Sequence, residues 1–276
     1  MSKPNLIDDG YTILQGVFNS AELAPVTDLV DRALAHAGKG LEDPFQDHYM
    51  RHRDDQGVLY DLYQRHPEFQ PLASHPRILD SLETALGPDI YLYVNSLISK
   101  PAGKRNGVPW HQDFIKRTDE PVKYIVWMAL DDATRENGCV KVIPGSHKAG
   151  FLPWHCVDGE THHDRVNNEC VDESKAIYAE VKAGDVLIFN QLLLHASDES
   201  HSDKPRRAFR VAYAGFEKID TPRGAPIVLR GGAPESIAQQ YTRPHTTEPV
   251  VTTSAQQTEN IARRVLHGIG WRLMRA

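Results

Sequence analysis

Val108-Pro109-Trp110-His111-Gln112-Asp113-Phe114 is the stretch on which the reading of this 276-residue chain turns. On a β-strand, side chains two apart share a face, so His111 and Asp113 can offer an imidazole and a carboxylate to one metal ion. A distant second histidine would complete a triad of two histidines and one carboxylate. Such a triad occupies one face of an octahedron and leaves three positions open. The tripeptide alone carries little weight, because His-x-Asp occurs four times: His52/Asp54, His111/Asp113, His162/Asp164 and His201/Asp203. The other three sit in polar runs that read as solvated loops. Only His111/Asp113 is flanked by apolar residues that could bury a site.

The sequence around this stretch predicts its scaffold. Upstream, Leu23, Val26, Leu29, Val30 and Leu34 recur at helical spacing behind Ser20, the expected N-cap. Ile78, Leu79, Leu82 and Leu86 mark a second helix over Pro76–Leu86, stopped by Gly87-Pro88. From Asp89 the composition changes to that of strands: Ile90–Lys100, Tyr124–Leu130, Gly138–Pro144, Gly184–Phe189 and Ala208–Ala214 are rich in β-branched and aromatic residues. Helices followed by strand runs with Gly, Pro and Asn turns predict an α+β protein, mainly β, with a sandwich or barrel. One domain is expected across residues 1–276, with its core at about 10–216 and a C-terminal extension, 217–276, ending in a helix over Gln257–Met274. The polar stretches Glu42–Gln70 and Phe151–Tyr178 are expected to be loops that cover a site.

Composition narrows the function classes. A net charge of −6, a pI near 6.1 and no long basic block argue against a nucleic-acid surface. No run approaches the roughly 18 to 20 apolar residues that cross a bilayer, and the first residues lack an apolar signal region. A cytoplasmic protein acting on small molecules is the expectation. Three cysteines give no disulfide framework. Cys156 and Cys170 bracket His162 and His163, but without the short chelate spacing that marks a zinc site.

His195 is the candidate second imidazole, because the apolar run Val186–Leu194 would carry it inward. A lone histidine after such a run can equally be a hydrogen-bonded core residue. Downstream, Lys204-Pro205-Arg206-Arg207-Ala208-Phe209-Arg210 begins a strand on which Arg206 and Arg210 share a face with Ala208 and Ala212. An arginine pointing inward is costly unless it meets an anion. A dicarboxylate would supply one with bidentate geometry; snorkelling, or pairing with an internal Asp, is the other reading.

Together, Pro109–Asp113, the run Val126–Cys139, Val142-Ile143-Pro144-Gly145-Ser146-His147-Lys148, Gly184-Asp185-Val186 and His195 with Arg206 resemble the phytanoyl-CoA dioxygenase family of iron(II)/2-oxoglutarate oxygenases. The resemblance runs from about Gly10 to Phe216. It implies a double-stranded β-helix, a cupin-like jelly roll with helices packed on one side. It makes His111, Asp113 and His195 the iron ligands and Arg206 the anchor for the distal carboxylate of 2-oxoglutarate. Ser197 and Trp127 follow as cosubstrate contacts, with Ser96 and Lys100 as further ones. It implies hydroxylation of an unactivated C–H bond in a small molecule with O2, releasing succinate and CO2. Desaturation, epoxidation or ring formation would use the same ligands. A binding or sensing module that keeps the metal, and a cupin-like enzyme without 2-oxoglutarate, are the readings from other classes. The family's frequent His-Gly-Ser is His195-Ala196-Ser197 here, and its Asn five residues past the histidine is Ser200.

Overall fold

The computed structural model describes residues 4–36, 49–53, 56–102, 107–157, 164–216 and 226–237. The N-terminal part comprises strand β1 (Tyr11–Leu14), helix α1 (Ser20–His36), the hairpin of β2 (Tyr49–Arg53) and β3 (Gln56–Tyr60), the short helices α2 (Leu62–Arg65) and α3 (Gln70–Ala73), and helix α4 (Pro76–Leu86). Strands follow: β4 (Ile90–Lys100), β5 (Val108–His111), β6 (Tyr124–Ala129), β7 (Val140–Val142), β8 (Trp154–Cys156), β9 (Asp164–Val166), β10 (Ile177–Ala179), β11 (Val186–Asn190), β12 (His195–Ser197), β13 (Arg206–Gly215) and β14 (Ile227–Arg230).

The major sheet runs β1-β11-β6-β13-β4-β3-β2, with β14 also on β4; the minor sheet runs β10-β7-β12-β5. From β4 to β7 the chain alternates between major and minor sheet, and from β10 to β13 it alternates again in the opposite sense. That winding, with antiparallel pairing throughout, makes the fold a double-stranded β-helix or jelly roll. The two sheets are separate rather than closed into one barrel.

Period-two sequence explains the layers. Along β6, Val126 and Met128 face outward into a core shared with Val26, Val30, Ile78 and Leu82 of α1 and α4. Ile125, Trp127 and Ala129 face inward with Leu187, Phe189, Ala208 and Ala212. On β4 the register slips opposite Ala212 and Tyr213, so that Tyr93 and Val94 both join the inner cluster.

Several expectations need correction. Helix α1 is capped by Asn19 rather than Ser20: its Oδ1 accepts from the amides of Ala21 and Glu22, and its own amide donates to Glu22. Within Glu42–Gln70, the described part is not an irregular cover. Strand β3 pairs with β4, and Leu59, Leu62 and Phe69 are fully buried, so sparse apolar anchors dock this segment into the outer core. Part of the expected extension, Ile227–Arg230, pairs with β4 and so belongs to the major sheet.

Residues 1–237 form one compact unit; the second, 238–276, lies outside the described residues, as does the helix expected over Gln257–Met274. Among the described residues no helix is long and apolar enough to cross a membrane.

Candidate functional site

His111 ends β5 and His195 begins β12, and the two are direct cross-strand partners in the minor sheet. Their ring centroids lie 4.0 Å apart. Asp113 is not on the strand with His111, contrary to expectation. The strand stops, the Asp113 amide donates to Gln191 O at 2.9 Å, and Phe114 takes a positive φ of 53°. This bend, costly for a non-glycine residue, turns the carboxylate toward the histidines. Gln112 fixes the bend from the other side, donating to the carbonyls of Gly150 and Leu192 and accepting from the amide of Leu152.

Ligand atoms of His111, Asp113 and His195 all lie within 4.8 Å of one another, and among the described residues theirs is the one His/Cys/Asp/Glu group that converges in this way. Each imidazole Nδ1 lies 2.9 Å from a carbonyl, His111 at Pro109 O and His195 at Leu193 O. A carbonyl only accepts, so Nδ1 of each ring carries a proton and Nε2 is the nitrogen left to offer a metal. Burial and the nearby His111 push the His195 pKa down to about 3, which keeps it neutral. Burial would raise Asp113, but Arg210, His195 and His111 outweigh it and hold the carboxyl at about 2. Arg210 Nη2 is 2.8 Å from Asp113 Oδ2, yet that oxygen has no well-directed hydrogen bond. Two lone-pair imidazole nitrogens and an under-satisfied carboxylate fit a ferrous ion with open coordination positions.

A second polar centre lies along β13 on the same inner face. Arg206 is 3% exposed, donates from Nη1 to Gly138 O at 2.7 Å, stacks 5.1 Å over the Trp127 ring, and leaves Nε without a partner. Among the described residues no carboxylate pairs with it, and burial lowers its pKa to about 10. Lys100 is its cross-strand partner, 1% exposed, with Nζ donating to Asp198 O at 2.7 Å. Ser96 sits opposite Arg210 on β4 and is buried. Two buried cations side by side fit a dianionic carboxylate ligand.

Ser197 is buried on β12 and lines a cleft of about 360 Å³ with Trp110, Lys141, Arg165 and Glu173, a cleft that none of the three converging donors lines. Of the Cys156 and Cys170 pair, Cys156 Sγ contacts Asp164, and Cys170 packs with Trp110 and Val171. His162 and His163 lie outside the described residues. Sequence reasoning missed Gln112 as a latch, and it missed the knot around Glu120. That carboxylate accepts from Tyr93 Oη and pairs with Arg117 and with the fully buried Lys123. The only signal for the knot was a lysine just before a strand, too common to use.

Comparison with known proteins agrees with this architecture. Peroxisomal phytanoyl-CoA dioxygenase of Rattus norvegicus is 27% identical over 186 residues, 64% of this chain and 53% of that protein. The chain spans about half the length of the phytanoyl-CoA dioxygenases it matches. Ectoine dioxygenase of Sphingopyxis alaskensis is 27% identical over 261 residues, 83% of this chain and 82% of that protein. In fold, the chain resembles the epimerase SnoN, solved in complex with Fe3+, alpha ketoglutarate and nogalamycin RO. The TM-score is 0.60 at 20% identity, covering 90% of this chain and 91% of that one. The family model described as Phytanoyl-CoA dioxygenase (PhyH) matches residues 7–208, well over half of the sequence, and the chain belongs to that family.

Proposed function

We propose that this protein is an iron(II)/2-oxoglutarate-dependent dioxygenase that hydroxylates an unactivated C–H bond of a small molecule. His111, Asp113 and His195 hold the ion, and Arg206 holds the distal carboxylate of 2-oxoglutarate. The observation that carries this reading is Arg206, a buried guanidinium with an unpartnered Nε and, among the described residues, no carboxylate partner, on the same inner face as the converging donors. Such a charge is stable only with an anion to meet it. Names among the relatives support the chemistry: an ectoine dioxygenase and a probable alpha-ketoglutarate-dependent hypophosphite dioxygenase from Stutzerimonas stutzeri.

When bound, iron and 2-oxoglutarate supply an oxidising centre that consumes O2 and releases succinate and CO2. The chain's own residues position it. Pro109 O and Leu193 O orient the two imidazoles, and Gln112 and Gln191 hold the bend that aims Asp113. The Trp127 ring lies 5.1 Å from the Arg206 guanidinium carbon, and Lys100 adds a second positive charge beside it. Leu187, Phe189, Ala208 and Ala212 form an apolar lining that keeps water from the centre. Because Asp113 is present, the carboxylate position is filled, which favours hydroxylation over halide transfer.

The test is anaerobic addition of iron(II) and 2-oxoglutarate. A weak visible charge-transfer band should form in the wild type and vanish in Arg206→Ala at the same cosubstrate concentration. Folded protein that never gives the band would refute the reading. With a substrate found by succinate release, isotopically labelled O2 should deliver one labelled oxygen atom to the product; an unlabelled, desaturated or cyclised product would overturn hydroxylation.

A further inference from the structure

Arg210 is a charged residue of the inner face that the proposed chemistry leaves unused. It projects from β13 between Ser96 and Trp127, its side chain 13% exposed, with its guanidinium carbon 5.5 Å from the Phe114 ring centroid. Phe114 is the residue in the left-handed conformation, and its ring meets Tyr93 edge-on at 5.3 Å. A strained backbone that places an aromatic ring beside a cation next to the donor triad points to a ligand subsite.

Charge points the same way. Among the described residues, Asp113 is the carboxylate that meets Arg210, at 2.8 Å and without a well-directed hydrogen bond. Glu120 is engaged by both Arg117 and Lys123. Asp113 also belongs to the metal site, and one negative charge cannot answer both a divalent ion and an arginine. A divalent ion and dianionic 2-oxoglutarate cancel each other, so loading leaves Arg206, its buried neighbour Lys100 and Arg210 facing Asp113. Positive charge remains in excess among buried side chains, where an unbalanced charge is expensive.

Resting on the function proposed above, we infer that Arg210 anchors an anionic group of the substrate. The molecule oxidised is then a small acid, carboxylate or phosph(on)ate, held with its acid group on Arg210 and its carbon skeleton beside Phe114. In the metal-free protein Asp113 occupies Arg210 in place of that group. The bidentate geometry of a guanidinium suits both classes of acid.

Calorimetric titration of protein loaded anaerobically with cobalt(II) and 2-oxoglutarate tests this, with inorganic phosphate and acetate as separate probes. At least one should bind the loaded wild type ten or more times tighter than loaded Arg210→Gln, with Arg210→Lys in between. The tighter probe names the acid class. Equal affinity of both probes for wild type and Arg210→Gln overturns the inference. A crystal of the loaded wild type soaked in phosphate gives a readout that needs no variant: the anion should lie on the Arg210 guanidinium, and an anion on the metal alone is the contrary result. The iron(II) charge-transfer band separates the two levels. If it forms and no anion binds, the substrate inference falls and the oxygenase reading stands; if it never forms, the oxygenase reading itself falls.

Discussion

Arg206 and Arg210 stand four residues apart on one strand and one face, about 13 Å along the backbone, yet they are handled differently. At the Arg210 end the protein supplies a counter-charge from its own sequence, Asp113. At the Arg206 end it supplies a carbonyl, an indole ring and a second cation but, among the described residues, no carboxylate. Arg207, between them and on the other face, shows the ordinary solution: it is paired with both Asp131 and Asp31. Among the described residues Arg207 meets two carboxylates and Arg206 none, the contrast on which the ligand role proposed for Arg206 rests.

The largest effect should come from removing Arg206. Truncating one partner of a buried, hydrogen-bonded charge pair costs about 2–5 kcal/mol. Arg206→Ala should therefore raise the KM for 2-oxoglutarate by about 100-fold or more, with a smaller loss in kcat. The unliganded protein should respond in the opposite direction: Arg206→Met removes an unpaired buried charge, so its Tm without 2-oxoglutarate should rise. If Arg206→Met melts lower than wild type, Arg206 is a structural residue and the contrast between the two ends disappears.

Arg210→Met should break the other end, and only in the metal-free state. It strands Asp113 as an uncompensated carboxylate; with both side chains partly exposed, the cost should be about 2 kcal/mol, below the 3–5 of fully buried pairs. Cobalt(II) should restore most of that by supplying the missing positive charge. Urea unfolding with and without cobalt(II) checks it. A loss that cobalt(II) leaves unchanged would mean that Arg210 holds the fold rather than the charge of the site.

How much of this was legible in the sequence follows from which forces write themselves into it. Period-two and helical spacing gave α1, α4 and the major strands, because burying one face of an element is a local pattern. His111, Asp113, His195 and Arg206 were legible as residue types at plausible distances. The bend that brings Asp113 round was not, since it depends on Gln112 and Gln191 meeting loops from 38 to 80 residues away. Nor was the pairing of Arg210 with Asp113, a contact between elements that lie far apart in the chain. Burial of Leu62 and Phe69 under the helices was hidden because isolated apolar residues in polar text carry no period.

The smallest expected effect isolates the Arg206 end from the rest. Gly138, the residue whose carbonyl receives Arg206, has a φ of +75°, and an added Cβ would stand 2.6 Å from Lys100 Nζ and 2.7 Å from Asp198 O. The lysine tip can move, but the Asp198 carbonyl is backbone and accepts from that same lysine. Gly138→Ala therefore shifts the two cations together while leaving the metal donors untouched. The left-handed backbone adds about 1–2 kcal/mol for a non-glycine residue. The KM for 2-oxoglutarate should rise about tenfold, and cobalt(II) affinity measured without 2-oxoglutarate should stay at the wild-type value. Were both to weaken alike, the two ends of β13 would be one coupled site, and the separate roles assigned to Arg206 and Arg210 would have to be merged.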